Sequence, residues 1–259
     1  TLTWNYTVAS GNTSSDLDYQ STTALALNSG TVKDAAGNNA VLTLPTPGAE
    51  HSLAANKDIV IDQAAPTISS VSLALNNTTI AVTMSEAVYN TNGASGGLEV
   101  SDFFIVIASG AATLTGGATS GTPTSISISG NVYTLGIGLS GTPNGSEVVT
   151  VAPIGSAIFD AAGNAASTSQ SNNSVTLYDQ TIPIVSTVTS TTANGSYKVD
   201  DAIVITITFT EAVTVTGTPQ LTLETGSSDA VINYVSGTGT TTLTFNYTVA
   251  SGQNSADLD

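Results

Sequence analysis

Short runs in which bulky apolar residues alternate with Thr, Ser, Asn or Gly recur along the whole chain. This is the period-two signature of strands that bury one face. It predicts strands at 2–8, 24–27 and 41–44, with 59–61 leading into a linker, and then at 68–75, 80–84, 103–107, 125–129, 133–139, 148–151 and 175–177. A third group follows at 184–188, 202–209, 221–223, 230–235 and 243–249. The alternation is clearest in Tyr133, Leu135, Ile137 and Leu139, and in Ile203, Ile205, Ile207 and Phe209. No segment has helical periodicity, and 45–56 reads as a loop. Frequent Gly, Asn and Pro between the runs makes the expected fold class an all-β sandwich.

One stretch occurs twice. Leu2-Thr3-Trp4-Asn5-Tyr6-Thr7-Val8-Ala9-Ser10-Gly11 returns 241 positions later as Leu243-Thr244-Phe245-Asn246-Tyr247-Thr248-Val249-Ala250-Ser251-Gly252, and the match resumes at Asp16-Leu17-Asp18 against Asp257-Leu258-Asp259. Trp4 is thereby expected to face a core with Leu2 and Tyr6, as Phe245 does in its own copy. A strand that recurs at a fixed offset reads as one period of a tandem array, and the chain as a window of a longer protein.

Two further signals recur within the period. Asp62-Gln63-Ala64-Ala65-Pro66 and Asp179-Gln180-Thr181-Ile182-Pro183 read as linkers, because proline cannot donate to a ladder and holds its predecessor extended. They divide the chain into 1–62, the C-terminal part of a repeat, 63–180, a complete repeat, and 181–259, the N-terminal part of a repeat of the same type as 1–62. Both repeat types carry Ser/Thr-Glu-Ala-Val after the second strand (Glu86, Glu211) and Asp-Ala-Ala-Gly-Asn before the last (Asp34 to Asn38, Asp160 to Asn164).

Charge narrows the partners. There are 19 acids against three basic residues, a net charge of −16, and no arginine. Such a surface cannot track phosphates or an anionic membrane, so neither nucleic acid nor direct membrane insertion is expected. Cysteine is absent, so no disulfide staples the fold, and a cation or a larger core must do that work.

In a seven-stranded sandwich of alternating strand direction, the loop after the second strand and the loop before the last both return to the entry end. Asp62, Glu86, Asp160 and Asn164 are therefore expected to converge there. The corresponding set is Asp179 and Glu211, with Asp34 and Asn38 of the next repeat along the array. Carboxylates gathered without lysine or arginine repel one another unless a cation bridges them. Oxygen ligands without His or Cys point to Ca2+. The same pentapeptide is also a good turn, with Asp bonding the backbone and Gly taking positive φ.

Other features carry less. His51 beside Glu50 reads as an exposed loop histidine, and Asp102 as a strand-entry residue. Asp200 and Asp201 are placed at the opposite end from Glu211. Asn-x-Ser/Thr triplets follow from composition. No nucleophile–base pair or cofactor loop is present, so no enzyme is expected.

The run from Tyr197-Lys198-Val199-Asp200-Asp201 to Thr210-Glu211-Ala212-Val213, with the Asp-Ala-Ala-Gly-Asn loops and Asp-x-x-x-Pro linkers, resembles bacterial immunoglobulin-like repeats of giant secreted surface proteins, including repeats-in-toxin-type adhesins. The middle block, with Tyr133-Thr134-Leu135-Gly136 and Gly141-Thr142-Pro143-Asn144-Gly145-Ser146-Glu147, is similar to the flagellar-system-associated repeat. The resemblance implies immunoglobulin-like or cadherin-like sandwiches in a calcium-rigidified rod at the cell surface. That rod would extend an adhesin, with neighbouring repeats of the same chain as partners. The alternative is a building block of an extracellular filament, sheath or surface layer, in which copies of the chain make lateral contacts. Gln63 and Gln180 stand where the resemblance leads one to expect Thr.

Overall fold

The computed structural model describes residues 2–256 and 258. Asp257 and Asp259, which close the second copy of the repeated stretch, lie outside the described residues. The chain falls into two compact units, 1–180 and 181–259. Both are built from antiparallel strands, and the fold is all-β.

In the first unit the strands are β1 (Ile68–Leu73), β2 (Thr79–Met84), β3 (Phe103–Ala108), β4 (Thr113–Leu114), β5 (Ser120–Gly121), β6 (Ile126–Ser129), β7 (Val132–Gly136), β8 (Leu139–Ser140), β9 (Val148–Pro153) and β10 (Ser174–Thr176). One sheet has the order β1-β2-β7-β6 and the other β10-β9-β3-β5, while β4 and β8 form a separate ribbon. Alternation makes each sheet one-sided: Ile80, Val82 and Met84 of β2 are buried, as are Phe103, Ile105 and Ile107 of β3. The two apolar faces close on one another in a single core. Phe103 from one sheet and Tyr133 from the other pack with ring centroids 6.0 Å apart.

The second unit contains β11 (Val185–Ser190), β12 (Ala202–Val213), β13 (Gln220–Leu223), β14 (Ala230–Ser236) and β15 (Thr240–Thr248), in the order β11-β12-β15-β14-β13. Its core gathers Ile205, Leu223, Ile232, Leu243, Phe245 and Tyr247. Strand β12 runs four residues past Phe209, so Thr210-Glu211-Ala212-Val213 is strand rather than the loop expected after 202–209. Val213 pairs with Thr240 beyond a register shift, and Val213 and Val215 both pack on this core.

Residues 2–60 depart from the sequence reading. None of the strands expected at 2–8, 24–27 or 41–44 forms, and Ile61 makes only an isolated bridge with Ser14. Within the expected loop 45–56 there is one helical turn, α1 (Leu53–Asn56), capped by Ser52 Oγ accepting from Ala55 N–H at 3.1 Å. Trp4 is 68% exposed, and Leu2 and Tyr6 are also exposed, so the inward-facing stripe is corrected. The cause is the absence of partners. In the second unit the same sequence is β15, hydrogen-bonded between β12 and β14. Among the described residues no strand pairs with 2–8. The local turn survives without such a partner: Tyr6 Oη and Ala9 N–H both donate to Asn12 Oδ1 at 2.7 Å. Tyr247 Oη and Ala250 N–H donate to Gln253 Oε1 at 2.9 Å in the same way.

Candidate functional site

Three segments of the first unit converge at one end of the sandwich. Asp62 lies just before β1, Glu86 just after β2, and Asp160 in the loop between β9 and β10. Backbone hydrogen bonds fix each approach. Ser85 N–H donates to Thr67 O at 2.8 Å, which ties the end of β2 to the start of β1. Tyr89 and Phe159 exchange N–H···O bonds of 2.8 Å in both directions, bringing the Glu86 loop against the Asp160 loop. One carboxylate oxygen from each of Asp62, Glu86 and Asp160 then lies within 4.8 Å of the others.

The pentapeptide loop is a turn and a carboxylate mount at once. Asp160 Oδ1 accepts from Asn164 N–H at 2.8 Å, and Asp160 Oδ2 accepts from Asn164 Nδ2 at 2.7 Å. The same Nδ2 also reaches the carbonyl oxygens of Asp62 at 3.2 Å and Ala64 at 3.4 Å. Asn164 thus links the segment carrying Asp62 to the loop carrying Asp160, with its amide nitrogen turned toward the protein. A metal contact from this residue would have to come from Oδ1. Asp62 Oδ1 in turn accepts from Ala64 N–H at 2.9 Å.

Electrostatically the cluster is unrelieved. Asp160 is fully buried, and Asp62 and Glu86 are half-buried. Burial raises the Glu86 carboxyl above its ordinary value, and the charges of Asp160 and Asp62 push it the same way. Among the described residues, no lysine or arginine pairs with any of the three. An ion pair of His51 Nε2 with Glu50 Oε1 at 3.6 Å lies on exposed side chains elsewhere.

The other expected ligands are placed as follows. Asp34–Asn38 repeats the two Asp–Asn bonds of the Asp160–Asn164 turn: Asn38 N–H to Asp34 Oδ1 and Asn38 Nδ2 to Asp34 Oδ2 are both 2.8 Å. Asn38 holds the Asp34 carboxyl below its ordinary value, and this copy is exposed. Asp179 is exposed at the end of the first unit, and Glu211 is half-buried on β12 in the second.

Two residues escaped the sequence reading. Gln63 Nε2 donates to Ala9 O at 2.8 Å and Asn12 O at 2.9 Å, and its Oε1 accepts from Gly11 N–H at 3.2 Å, which staples the 9–12 turn to the linker. Glu147 is completely buried, with Oε1 accepting from Ala111 N–H at 2.7 Å and Ala112 N–H at 2.9 Å, and Oε2 from Asn144 N–H at 3.0 Å. The signal for Glu147 was a lone acid in a small-residue turn directly before an apolar strand. Asp102, read as a strand-entry residue, closes a short 3-10 turn at the start of β3, where its Oδ2 accepts from Glu99 N–H at 2.7 Å.

No protein-family model matches the chain, and no curated protein or solved structure matches it either.

Proposed function

We propose that this chain is a structural repeat segment of a giant extracellular bacterial surface protein, in which Ca2+ stiffens the passage from one repeat to the next and the array extends an adhesin. The observation that carries this reading is the meeting of Asp62, Glu86 and Asp160, brought from three distant segments to within 4.8 Å without a basic residue among them. The donor set fits a hard divalent cation: every group is a carboxylate, none is His or Cys, and the ionised Glu86 is disfavoured first by burial and then by the charges of Asp160 and Asp62. Asp62, Glu86 and Asp160 would hold the ion, with Asn164 setting the loop. The ion would supply the positive charge that the cluster lacks and bind the linker segment to the sandwich.

Extracellular calcium modules work at about 10⁻⁴–10⁻³ M. Tenfold saturation of one such site would add about 1.4 kcal/mol to the folded state. The test is calorimetry and small-angle scattering of the whole chain in millimolar Ca2+ and in chelator. A higher melting temperature and a narrower distribution of shapes in Ca2+ are expected. Identical profiles under the two conditions would sink the reading.

A building block of a filament, sheath or surface layer is the second reading. The exact 241-residue recurrence favours it, because a periodic surface along the chain lets copies meet in register. Electron microscopy separates the two: isolated thin rods for the extender, ordered bundles or lattices for the assembly.

A further inference from the structure

An edge strand offers unpaired backbone groups, and proteins ordinarily guard it with charge, proline or a bulge. In the first unit β6 closes one end of the sheet β1-β2-β7-β6. Its register with β7 is regular: Ile126, Ser127, Ile128 and Ser129 face Leu135, Thr134, Tyr133 and Val132. Gly136 N–H donates to Ser125 O at 2.9 Å, and the turn Gly130-Asn131 joins the two strands at the other end. Bonded and non-bonded pairs alternate along an antiparallel ladder, so Ser125, Ser127 and Ser129 turn their backbone groups toward β7. Ile126 and Ile128 turn theirs outward, where among the described residues no strand meets them. The loop at Gly97 comes beside the Ile128 side chain without pairing with β6. Ile128 is still 50% exposed, and all three serines are exposed.

Two features single out the same edge of a second copy as the occupant. The first is symmetry. Ser125-Ile126-Ser127-Ile128-Ser129 reads the same in both directions. Two copies crossing antiparallel about Ser127 bring Ile126 opposite Ile128 and Ser125 opposite Ser129, once on each side of the centre. The outward groups of each isoleucine pair then exchange both N–H···O bonds, while Ser127 faces its own copy as a non-bonded pair. The second feature is charge. The chain carries −16, so copies repel one another over most of their surface. No charged residue lies between Asp102 and Glu147, and β6, its neighbour β7 and the turn between them all fall in that stretch. The edge holds no lysine to deter a partner, and Pro123 precedes the strand rather than interrupting it.

We infer that β6 is a lateral contact between two copies of this chain, joined across a two-fold axis at Ser127 into one continuous sheet, β1-β2-β7-β6-β6-β7-β2-β1. The contact is isologous, so it closes at two copies. Serines line one face of the joint and isoleucines the other. Ile126 already packs on the core, and pairing sets it beside the exposed Ile128 of the other copy. A joint this short is weak by itself, and such joints reinforce one another where repeats are linked in series. Salt that screens the repulsion between acidic copies strengthens it. The contact needs no cation, so it stands apart from the calcium reading, and it deepens the filament reading by naming the lateral contact on which that reading rests.

The unmodified chain is measured by light scattering in chelator, from micromolar to millimolar concentration, at low and high salt. The mass is expected to rise from 25.8 kDa toward twice that value, more readily at high salt. Hydrogen exchange at the Ile126 and Ile128 amides should slow in step with the mass, while Ser127, already bonded to β7, keeps its rate. Since the chain has no cysteine, Ser127→Cys sets a thiol opposite its own copy with about 4.5 Å between Cα atoms, within disulfide reach. Ser129→Cys faces Ser125 instead and is the control. Oxidation is expected to join Ser127→Cys chains in pairs and to leave Ser129→Cys chains single. A mass fixed at the monomer throughout overturns the inference. Association that leaves the Ile126 and Ile128 amides exchanging as before overturns it too, and so does equal cross-linking of the two variants. Both serines are exposed and the exchange measurement needs no variant, so misfolding would not rescue the idea. Its failure would leave the melting shift expected in Ca2+ untouched.

Discussion

Asn164 holds both oxygens of the Asp160 carboxylate, through its backbone N–H at 2.8 Å and its side-chain Nδ2 at 2.7 Å. The amide that completes the turn also reaches the backbone carrying Asp62, so turn and cluster are one construction. Asn164→Ala keeps the backbone bond but removes the charge-assisted bond from Nδ2 to Asp160 Oδ2 and the contacts of Nδ2 with the Asp62 and Ala64 carbonyls, and is expected to destabilise the first unit by about 2 kcal/mol. It should also blunt the melting shift produced by Ca2+. Asn38→Ala removes only the bond from Nδ2 to Asp34 Oδ2, on an exposed copy, and is expected to leave the main melting transition within about 0.5 kcal/mol of the parent. Calorimetry of the two variants checks both statements.

Glu86 gives a prediction whose sign depends on the medium. Its carboxyl is raised by burial and then by the charges of Asp160 and Asp62, so in chelator near neutral pH the ionised form works against folding. A group with a raised folded-state value binds more protons folded than unfolded. Its contribution therefore improves as pH falls from neutrality through that value toward the ordinary glutamate value of 4.5. Glu86→Gln is expected to raise the melting temperature in chelator at pH 7 and to lower it, relative to the parent, in saturating Ca2+. The same sign of change in both media would argue against a cation among these three carboxylates.

Much of the fold was legible in the sequence, and the failures share a cause. Alternation located β2, β3, β7, β9, β12 and β15 to within a few residues because each lies in a sheet whose partners are present in the same unit. Trp4 and Phe245 occupy equivalent positions in near-identical stretches, yet Phe245 is buried and Trp4 is not. Period-two patterning states which face a strand would bury, and a ladder still needs a neighbour. The convergence of Asp62, Glu86 and Asp160 was legible from strand direction alone. The orientation of Asn164 and the staple made by Gln63 were not, because an amide has donors and an acceptor and sequence does not say which one faces inward.

The two pentapeptide glycines separate local strain from its consequences. Gly163 has φ +90° and Gly37 has φ +93°, a region where an L side chain is strained by about 1–2 kcal/mol. A Cβ at Gly163 would also meet Asn92 Oδ1 at 2.2 Å, but Asn92 is exposed and can turn away. Backbone strain alone therefore sets the local effect of both Gly163→Ala and Gly37→Ala. Only Gly163 belongs to a loop anchored to the sandwich core beside Ile158 and Ala166. Gly163→Ala is expected to speed hydrogen exchange in β2 and β9, and Gly37→Ala to leave those amides unchanged.

Glu147 has the opposite pH behaviour to Glu86. Burial alone would raise its carboxyl, but the N–H groups of Ala112, Ala111 and Asn144 outweigh that and hold it below the ordinary value. A lowered value means that the ionised form is favoured by folding, so the contribution is complete above pH 4.5 and is lost as pH falls through the folded-state value. Glu147→Gln keeps the shape but replaces the charged acceptor with a neutral amide and turns its NH₂ toward at least one of these donors, which weakens the set of charge-assisted bonds. The expected loss is about 2–3 kcal/mol at pH 7. Because the parent surrenders the same stabilisation in acid, the gap between the two proteins should narrow in urea titrations at pH 3. A gap equally wide at both pH values would mean that Glu147 contributes through packing rather than through charge.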